Sequence, residues 1–221
     1  MKLRIITGRA GAGKSKLVLE TIAAQRFERQ QILLVPEHAT HEAELDLCRA
    51  LGDTASRDGE VLSFQSLATR VLSQTGGISD ITLDNGGKIL IMRRALQEVS
   101  SYLTVFSKPS QRPAFLRELV ALADELYAYK IAPSLLLQQV QDIPGAAGDK
   151  LRSTALLFGA YDARLHGGDF DARSKVQKLC DKLPNSDYLC GKDIYIDGFS
   201  YFNRTEEDII AAALKQANSV T

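Results

Sequence analysis

The chain has 221 residues, of which 45% are hydrophobic and 24% charged, and its 27 Lys and Arg residues balance its 27 Asp and Glu residues. This composition is typical of a globular protein with its own core and excludes a disordered or collagen-like chain. Zero net charge gives no basic field that would indicate nucleic acid, although a local groove can still bind it. The apolar runs are short and interrupted by charges, so we expect no signal peptide, no membrane span and a cytoplasmic location.

Up to about residue 75, short apolar runs alternate with helical patterns. The runs are LRIIT, QILLVP and EVLSF, and the helical stretches are KSKLVLETIAAQ, HEAELDLCRAL and QSLATRVLSQ. This alternation predicts an α/β fold with a parallel sheet covered by helices on both faces. The run KDIYIDGFSYF, residues 192–202, predicts a further strand of the same sheet.

Between these two parts of the sheet, apolar residues recur at helical spacing and strand patterns disappear. We therefore expect residues 80–188 to form a large all-helical insertion, and residues 1–79 with 189–221 to form the sheet domain. The insertion should have a core of its own that buries Leu90, Leu96, Leu119, Leu126, Leu156 and Phe158.

The complete pattern G-x-x-x-x-G-K-[ST] lies between the first predicted strand and the first predicted helix. Glycines there let backbone N–H groups approach phosphate oxygens, and the following helix points its positive end at them. Lys14 would hold the β- and γ-phosphates, and the Ser15 hydroxyl would ligate Mg²⁺. The predicted cofactors are ATP and Mg²⁺, and an ordinary glycine-rich turn is the alternative. The nucleotide-binding residues would be Gly8, Arg9, Ala10, Gly11, Ala12, Gly13, Lys14, Ser15 and Lys16.

A P-loop fold also places a carboxylate at the end of a neighbouring strand, where it holds Mg²⁺ through water. Asp197, at the end of the run KDIYID, is the candidate for this second metal position. The alternative is a strand-end aspartate that caps a turn.

The order GRAGAGKS, ILLVPEHATHEAE, VLSFQSLATRVL, a long helical block and IYIDGFSYF resembles the N-terminal part of the AddB (RexB) family. Proteins of this family are one subunit of a bacterial ATP-dependent helicase and deoxyribonuclease that processes double-strand breaks. The resemblance covers essentially the whole chain. It implies a P-loop, RecA-like sheet with a helical insertion, like domains 1A and 1B of superfamily 1 helicases, and it implies DNA and an AddA-type subunit as partners.

In that comparison, residues 36–44 fall at helicase motif Ia and residues 63–67 at motif Ib. Both segments follow strands and should lie at the carboxyl edge of the sheet, where open α/β sheets bind ligands. The resemblance implies that single-stranded DNA is held there by Thr40, Ser63, Phe64 and Gln65, which are suitable residue types. For Phe64, core packing is the alternative.

The chain departs from an active helicase motor at Gly198, because a motor has a water-activating glutamate directly after its Walker B aspartate. Glu206 and Glu207 come later and would serve the N-terminus of the next helix. The second RecA-like domain and the cysteine-bound iron–sulfur nuclease domain of the family have no counterpart in this sequence. We therefore expect ATP binding with negligible hydrolysis, no catalytic residue, and a role in DNA binding and partner docking.

Two other interpretations remain open. The chain could be a small P-loop nucleoside or nucleotide kinase whose helical block binds the acceptor, although Arg93 and Arg94 form its only adjacent arginine pair. It could also be an interaction module with a vestigial nucleotide site.

The last residues, ANSVT, follow a helix predicted at residues 206–216. In helicase-type P-loop folds the next strand lies between the Walker A and Walker B strands. Val220 and Thr221 therefore begin a short strand, or a slot stays open beside Ile5 and Ile6. We expect such a slot to lower stability and to favour self-association.

Overall fold

The computed structural model describes residues 2–25, 27–52, 55–77, 83–106, 112–140, 143–166 and 174–221. The chain forms two compact units, which we call the sheet unit (residues 1–78 and 175–221) and the helical unit (residues 79–174). Across the described ranges, no helix combines the length and the apolar character needed to cross a membrane.

Four parallel strands form the sheet, in the order β2-β1-β3-β4. They are β1 (Gln31–Leu34), β2 (Gly59–Leu62), β3 (Asp193–Ile196) and β4 (Ser219–Val220). The register pairs Leu33 with Val61 on one side and with Tyr195 on the other. All four residues of β1 are buried, as expected for a strand covered on both faces.

The first predicted strand, LRIIT, is reduced to a single parallel bridge between Leu3 and Val220. The Arg4 N–H donates to the Val220 carbonyl and the Val220 N–H donates to the Lys2 carbonyl, each at 2.9 Å. Val220 thus lies between Leu3 and β3, so the chain begins the short strand that was one of the two alternatives. Beyond this bridge, Ile5 is 75% exposed.

Helices cover both faces of the sheet, since successive strand residues point to opposite sides. Helices α1 (Lys14–Ala24) and α2 (Thr40–Leu51) pack with Leu33, Val61 and Tyr195. On the other face, Ile32, Leu62 and Ile194 pack with α4 (Phe64–Thr75), α9 (Lys175–Lys182) and α10 (Arg204–Gln216). A short helix, α3 (Ala55–Asp58), precedes β2.

The boundary of the insertion differs from the sequence prediction. Helical spacing continues to about residue 183 and predicts a boundary at residue 188, but α9 belongs to the sheet unit. The reason is that α9 packs against α4, where Leu179 is fully buried in the core below β1 and β3. The helical unit therefore ends at residue 174.

In its described part, the helical unit contains helices and no strand. The helices are α5 (Asn85–Val99), α6 (Pro113–Ala128), α7 (Pro133–Val140) and α8 (Gly145–His166). The Lys88 ammonium contacts the Asp124 carboxylate at 2.7 Å and so joins α5 to α6. The Tyr127 hydroxyl donates to Asp162 at 2.5 Å and joins α6 to α8.

The core predicted for this unit is partly right. Leu96, Leu119 and Phe158 are buried at 2%, 7% and 3% exposure, and Leu126 packs against the same cluster. The prediction is wrong for Leu90 and Leu156, which are 63% and 38% exposed. Each successive residue turns a helix by about 100°, so both leucines lie well outside the buried stripe of their own helix.

Candidate nucleotide-binding site

The loop before α1 has the backbone conformation that its glycines permit. Gly11 and Gly13 have φ angles of +74° and +82°, in the left-handed region that side chains rarely adopt. Gly13 is the N-cap of α1 and carries no capping side chain. The backbone N–H groups at the start of α1 are therefore not covered by a capping side chain.

Backbone donors at this helix start have no partner among the described residues. The first N–H that bonds within α1 is that of Leu17, which donates to the Gly13 carbonyl at 2.9 Å. Within the described ranges, the N–H groups of Gly13, Lys14, Ser15 and Lys16 remain free, and they lie at the positive end of the helix. Such convergent donors fit the phosphate groups of a nucleotide.

The side chain of Lys14 is folded over the loop. Its ammonium donates to the carbonyl oxygens of Gly8 and Arg9, each at 3.0 Å. These contacts hold the ammonium against the loop that precedes α1. A phosphate in the loop would offer the ammonium a charged acceptor in place of two neutral ones, which makes stronger hydrogen bonds.

The two predicted metal-binding residues lie in different parts of the sheet unit. Ser15 is exposed in the first turn of α1. Asp197 directly follows β3, is half-buried, and its N–H donates to the Leu34 carbonyl at 3.0 Å. The described residues contain no cluster of three or more His, Cys, Asp or Glu side chains that could hold a metal by themselves. A magnesium ion held by Ser15 and Asp197 would accordingly need phosphate oxygens or water as further ligands.

Gly198, the residue directly after Asp197, is held in a conformation that only glycine adopts easily. Its φ angle is +82°, and a Cβ added to it would lie 3.3 Å from Pro36 Cδ. The sequence reveals the missing carboxylate, whereas the backbone constraint depends on the fold. Glu206, for its part, forms a capping box with Asn203 at the start of α10, as expected for a helix-capping residue.

Phe64 is only 5% exposed and belongs to a cluster of three aromatic rings. Its ring centroid lies 5.5 Å from that of Phe199 and 6.5 Å from that of Phe202, in edge-to-face geometry. The other two rings are 4.9 Å apart. This packing favours the core alternative for Phe64, because a buried ring has no free face on which a base could stack.

The other three predicted DNA-binding residues differ in their accessibility. Ser63 is 2% exposed and caps α4 through a reciprocal pair of bonds with Ser66. Thr40 is half-buried at the start of α2, and its hydroxyl donates to the Glu37 carbonyl at 2.9 Å. Gln65 is exposed in the first turn of α4. At this edge, Gln65 thus offers the most accessible polar side chain of the predicted set.

One residue at the same edge was missed from the sequence. Tyr201 lies in the loop between β3 and α10 and is 75% exposed. An exposed aromatic ring at a ligand-binding edge can stack on a nucleic-acid base. The concentration of aromatic residues in FSYF was the available signal.

Comparisons with known proteins give one consistent result. The family model described as "ADDB, N-terminal" matches residues 5–221. Three similar curated proteins are each named as a subunit of an ATP-dependent helicase/deoxyribonuclease. The protein from Desulforamulus reducens is 37% identical over 100% of this chain and 20% of its own length. The protein from Clostridioides difficile is 33% identical over 100% and 20%. The protein from Bacillus cereus (strain B4264) is 30% identical over 95% and 19%. The chain thus spans about a fifth of the length of these relatives.

Proposed function

The chain belongs to the AddB family through its N-terminal domain, and from that premise we propose that it binds ATP with Mg²⁺ but hydrolyses it negligibly. Relatives of this chain are named as subunits of an ATP-dependent helicase/deoxyribonuclease. The proposed role is that of a degenerate motor, which contributes nucleotide binding, a DNA-contacting edge and a docking surface to such a complex in double-strand break repair.

One contrast carries this proposal: the start of α1 has the groups that bind phosphate, whereas the residue after Asp197 is a glycine and has no carboxylate. Free amides at the start of α1 and the Lys14 ammonium supply what a triphosphate needs. Gly198, in contrast, supplies no carboxylate to orient the attacking water. Loss of a general base or water-positioning group lowers rates by about 10²- to 10⁴-fold.

Within this site, each residue has a distinct task. The amides of Gly13 to Lys16 would bind phosphate oxygens, and Lys14 would neutralise charge between the terminal phosphates. Ser15 would bind Mg²⁺ directly and Asp197 through water, and the ion would compensate the charge of the phosphates. No residue of the chain is assigned a proton transfer.

DNA binding is proposed for the carboxyl edge of the sheet, where Thr40, Gln65 and Tyr201 are accessible to different degrees. The Gln65 amide suits backbone and base edges, and the Tyr201 ring suits stacking. A kinase function is not favoured, because Arg93 and Arg94 are exposed on α5 without another feature that indicates an acceptor site among the described residues. The partner subunit would be an AddA-type helicase/nuclease that supplies translocation.

Nucleotide binding is tested by titrating the 221-residue chain with a fluorescent ATP analogue in the presence of Mg²⁺. We expect Lys14→Ala to weaken binding about 10- to 100-fold, as loss of charged hydrogen bonds does. Lys215→Ala is the matched control, because Lys215 is an exposed lysine in the last turn of α10 and lies outside the proposed nucleotide-binding residues. Equal affinity of the wild type and Lys14→Ala would refute the site.

DNA binding is tested separately with a labelled single-stranded oligonucleotide. We expect Tyr201→Ala to weaken binding roughly 5- to 100-fold, in line with about 1–3 kcal/mol for one stacked base. Tyr102→Ala is a control, since Tyr102 is 73% exposed in the helical unit. If both variants bind like the wild type, Tyr201 has no role in DNA binding.

A further inference from the structure

A groove of about 990 Å³ runs along the outer edge of β2, within the sheet unit. β2 forms its floor, while α2 with the turn before it forms one wall and α4 forms the other. β2 is one edge strand of the sheet, and the bridge that joins Leu3 to Val220 lies at the opposite edge. None of residues 8–16, the proposed nucleotide-binding residues, lines the groove.

The floor of the groove offers unpaired backbone groups. The Leu62 carbonyl accepts from the Val35 N–H at 2.9 Å, so the backbone groups of Leu62 point toward β1. Because alternate residues of a parallel strand bond to the same neighbour, the backbone groups of Glu60 also point toward β1. Gly59 and Val61 therefore direct their N–H and C=O groups outward, into the groove. Neither residue has another hydrogen bond among the described residues. Such an edge is a template for a further strand.

The walls leave room for an added chain. On α4, the groove is lined by Ser66, Thr69 and Ser73, which recur at helical spacing on one face. Their short hydroxyl side chains are turned back onto the protein, for example Thr69 to the Gln65 carbonyl at 3.1 Å. A polypeptide lying between α2 and α4 would face these short side chains and would also contact Arg70 and Gln74, the two long side chains of α4 that line the groove.

Charge is distributed unevenly along the groove. Glu37 and Glu44 line it on the α2 side, toward the carboxyl end of β2, and both are exposed without an ion pair among the described residues. Near the amino end, the Lys192 ammonium lies 3.7 Å from the centre of the Tyr188 ring and has no ion pair in the described part of the chain. The central Glu60 is already neutralised by Arg70 at 2.7 Å. The groove thus has one acidic and one basic end.

We propose that the outer edge of β2 binds an extended segment of a partner protein by strand addition. The segment pairs antiparallel to β2, because antiparallel pairs are slightly more stable per residue. Its first residues are basic and lie beside Glu37 and Glu44, and its last residues are acidic and lie near Lys192. Alternate backbone groups of the segment bond to Gly59 and Val61, as in other strand-addition complexes. This surface is independent of the nucleotide site.

The test measures fluorescence anisotropy of synthetic peptides labelled near their carboxyl end. The probe peptide is Lys-Lys-Thr-Val-Thr-Val-Glu-Glu, and the reversed-charge peptide is Glu-Glu-Thr-Val-Thr-Val-Lys-Lys. We expect the probe to bind at least about tenfold more tightly than the reversed peptide. A third peptide has the sequence of the probe with N-methyl groups on alternate amides, and we expect it not to bind. Equal binding of all three peptides, or no binding of the probe, would overturn the proposal.

Variants of the protein separate the charge from the backbone contribution. The double variant Glu37→Lys with Glu44→Lys should reverse the preference between the two charged peptides. Glu42→Lys is the matched control, because Glu42 is exposed on α2 but does not line the groove. Val61→Pro removes an outward N–H and leaves the bonds to β1 in place, so it should abolish peptide binding.

Two further measurements keep the outcome interpretable. If Val61→Pro fails to fold, Ser73→Trp is the second variant, because Ser73 is exposed on α4 and lines the groove. The tryptophan side chain would fill the groove and should also abolish binding. Lys14→Ala should leave peptide affinity unchanged, so failure of the nucleotide proposal and failure of this one are distinguishable. Sedimentation of the chain alone tests a second copy as the occupant. Self-association abolished by Ser73→Trp would mean that the edge pairs with itself, which contradicts the proposal.

Discussion

Gly198 and Pro36 face each other at the carboxyl edge of the sheet, so closely that a Cβ on Gly198 would lie 3.3 Å from Pro36 Cδ. Pro36 lies just after β1, and Gly198 follows Asp197 just after β3, its neighbour in the sheet. The glycine also has a φ angle of +82°. Two independent constraints thus disfavour any side chain at the residue directly after Asp197.

The first prediction follows from this contact. Gly198→Glu should lower the free energy of unfolding by about 1–3 kcal/mol, because a non-glycine residue is forced into a left-handed conformation. ATP turnover should also stay below about one per second, because the strained backbone would not hold the added carboxylate in position to activate water. Urea denaturation and a steady-state ATPase assay measure the two effects. Gly198→Ala is the control, and it should cost nearly as much stability as Gly198→Glu. A stable Gly198→Glu variant with rapid turnover would contradict this account.

The second prediction compares two leucines of the same helix, α5. Leu96→Ala should destabilise the helical unit by about 2–5 kcal/mol, because Leu96 is 2% exposed in its core. Leu90→Ala should change stability by no more than about 0.5 kcal/mol, because Leu90 is 63% exposed. Chemical denaturation of both variants measures the difference. Similar losses for the two leucines would mean that the α5 face is assigned incorrectly.

These leucines also show what the sequence could predict and what it could not. The strands at Gln31–Leu34 and Asp193–Ile196 were predicted because short apolar runs between helical patterns depend on local sequence alone. Leu90 was placed in the core because apolar residues were counted and not projected onto a helix. A projection at about 100° per residue corrects this error from the amino-acid sequence alone.

Other features could not be obtained from local sequence. The contact of Gly198 with Pro36 joins residues far apart in the chain, and the burial of Phe64 depends on Phe199 and Phe202. The placement of α9 was missed for the same reason, since an amphipathic helix does not reveal which of two cores it covers. The free amides at the start of α1 were predictable, because the glycine spacing itself encodes that geometry.

The third prediction concerns two tyrosines in the helical unit. Burial and the hydrogen bond to Asp162 raise the pKa of Tyr127, whereas the Tyr161 hydroxyl is buried without a hydrogen-bond partner among the described residues. Tyr127→Phe should therefore cost about 1–3 kcal/mol, because a bond to a carboxylate is lost. Tyr161→Phe should leave stability unchanged or raise it, because it removes a polar group that is buried without compensation. Thermal melts of both variants test this contrast. A larger loss for Tyr161→Phe than for Tyr127→Phe would contradict it.

The last prediction concerns the pH dependence of stability in the sheet unit, where burial in the core and the nearby Asp193 carboxylate raise the pKa of Tyr195 to about 12. Tyr195 is 2% exposed and its phenol donates to the Gln25 side-chain oxygen at 2.9 Å, so the folded state keeps the neutral form. In the unfolded chain the phenol loses its proton near the ordinary tyrosine pKa of about 10. The contribution of Tyr195 to stability is therefore complete below pH 10 and is lost as the pH rises from 10 to 12, with a slope of up to about 1.4 kcal/mol per pH unit.

Urea denaturation between about pH 8 and pH 12 should show this decline, and Tyr195→Phe should make it shallower. Some decline should persist in the variant, because burial also raises the pKa of Tyr188. Tyr201→Phe is the matched control, because Tyr201 is 75% exposed, and it should follow the wild-type curve. If Tyr195→Phe and the wild type lose stability with the same slope above pH 10, Tyr195 is not the group responsible.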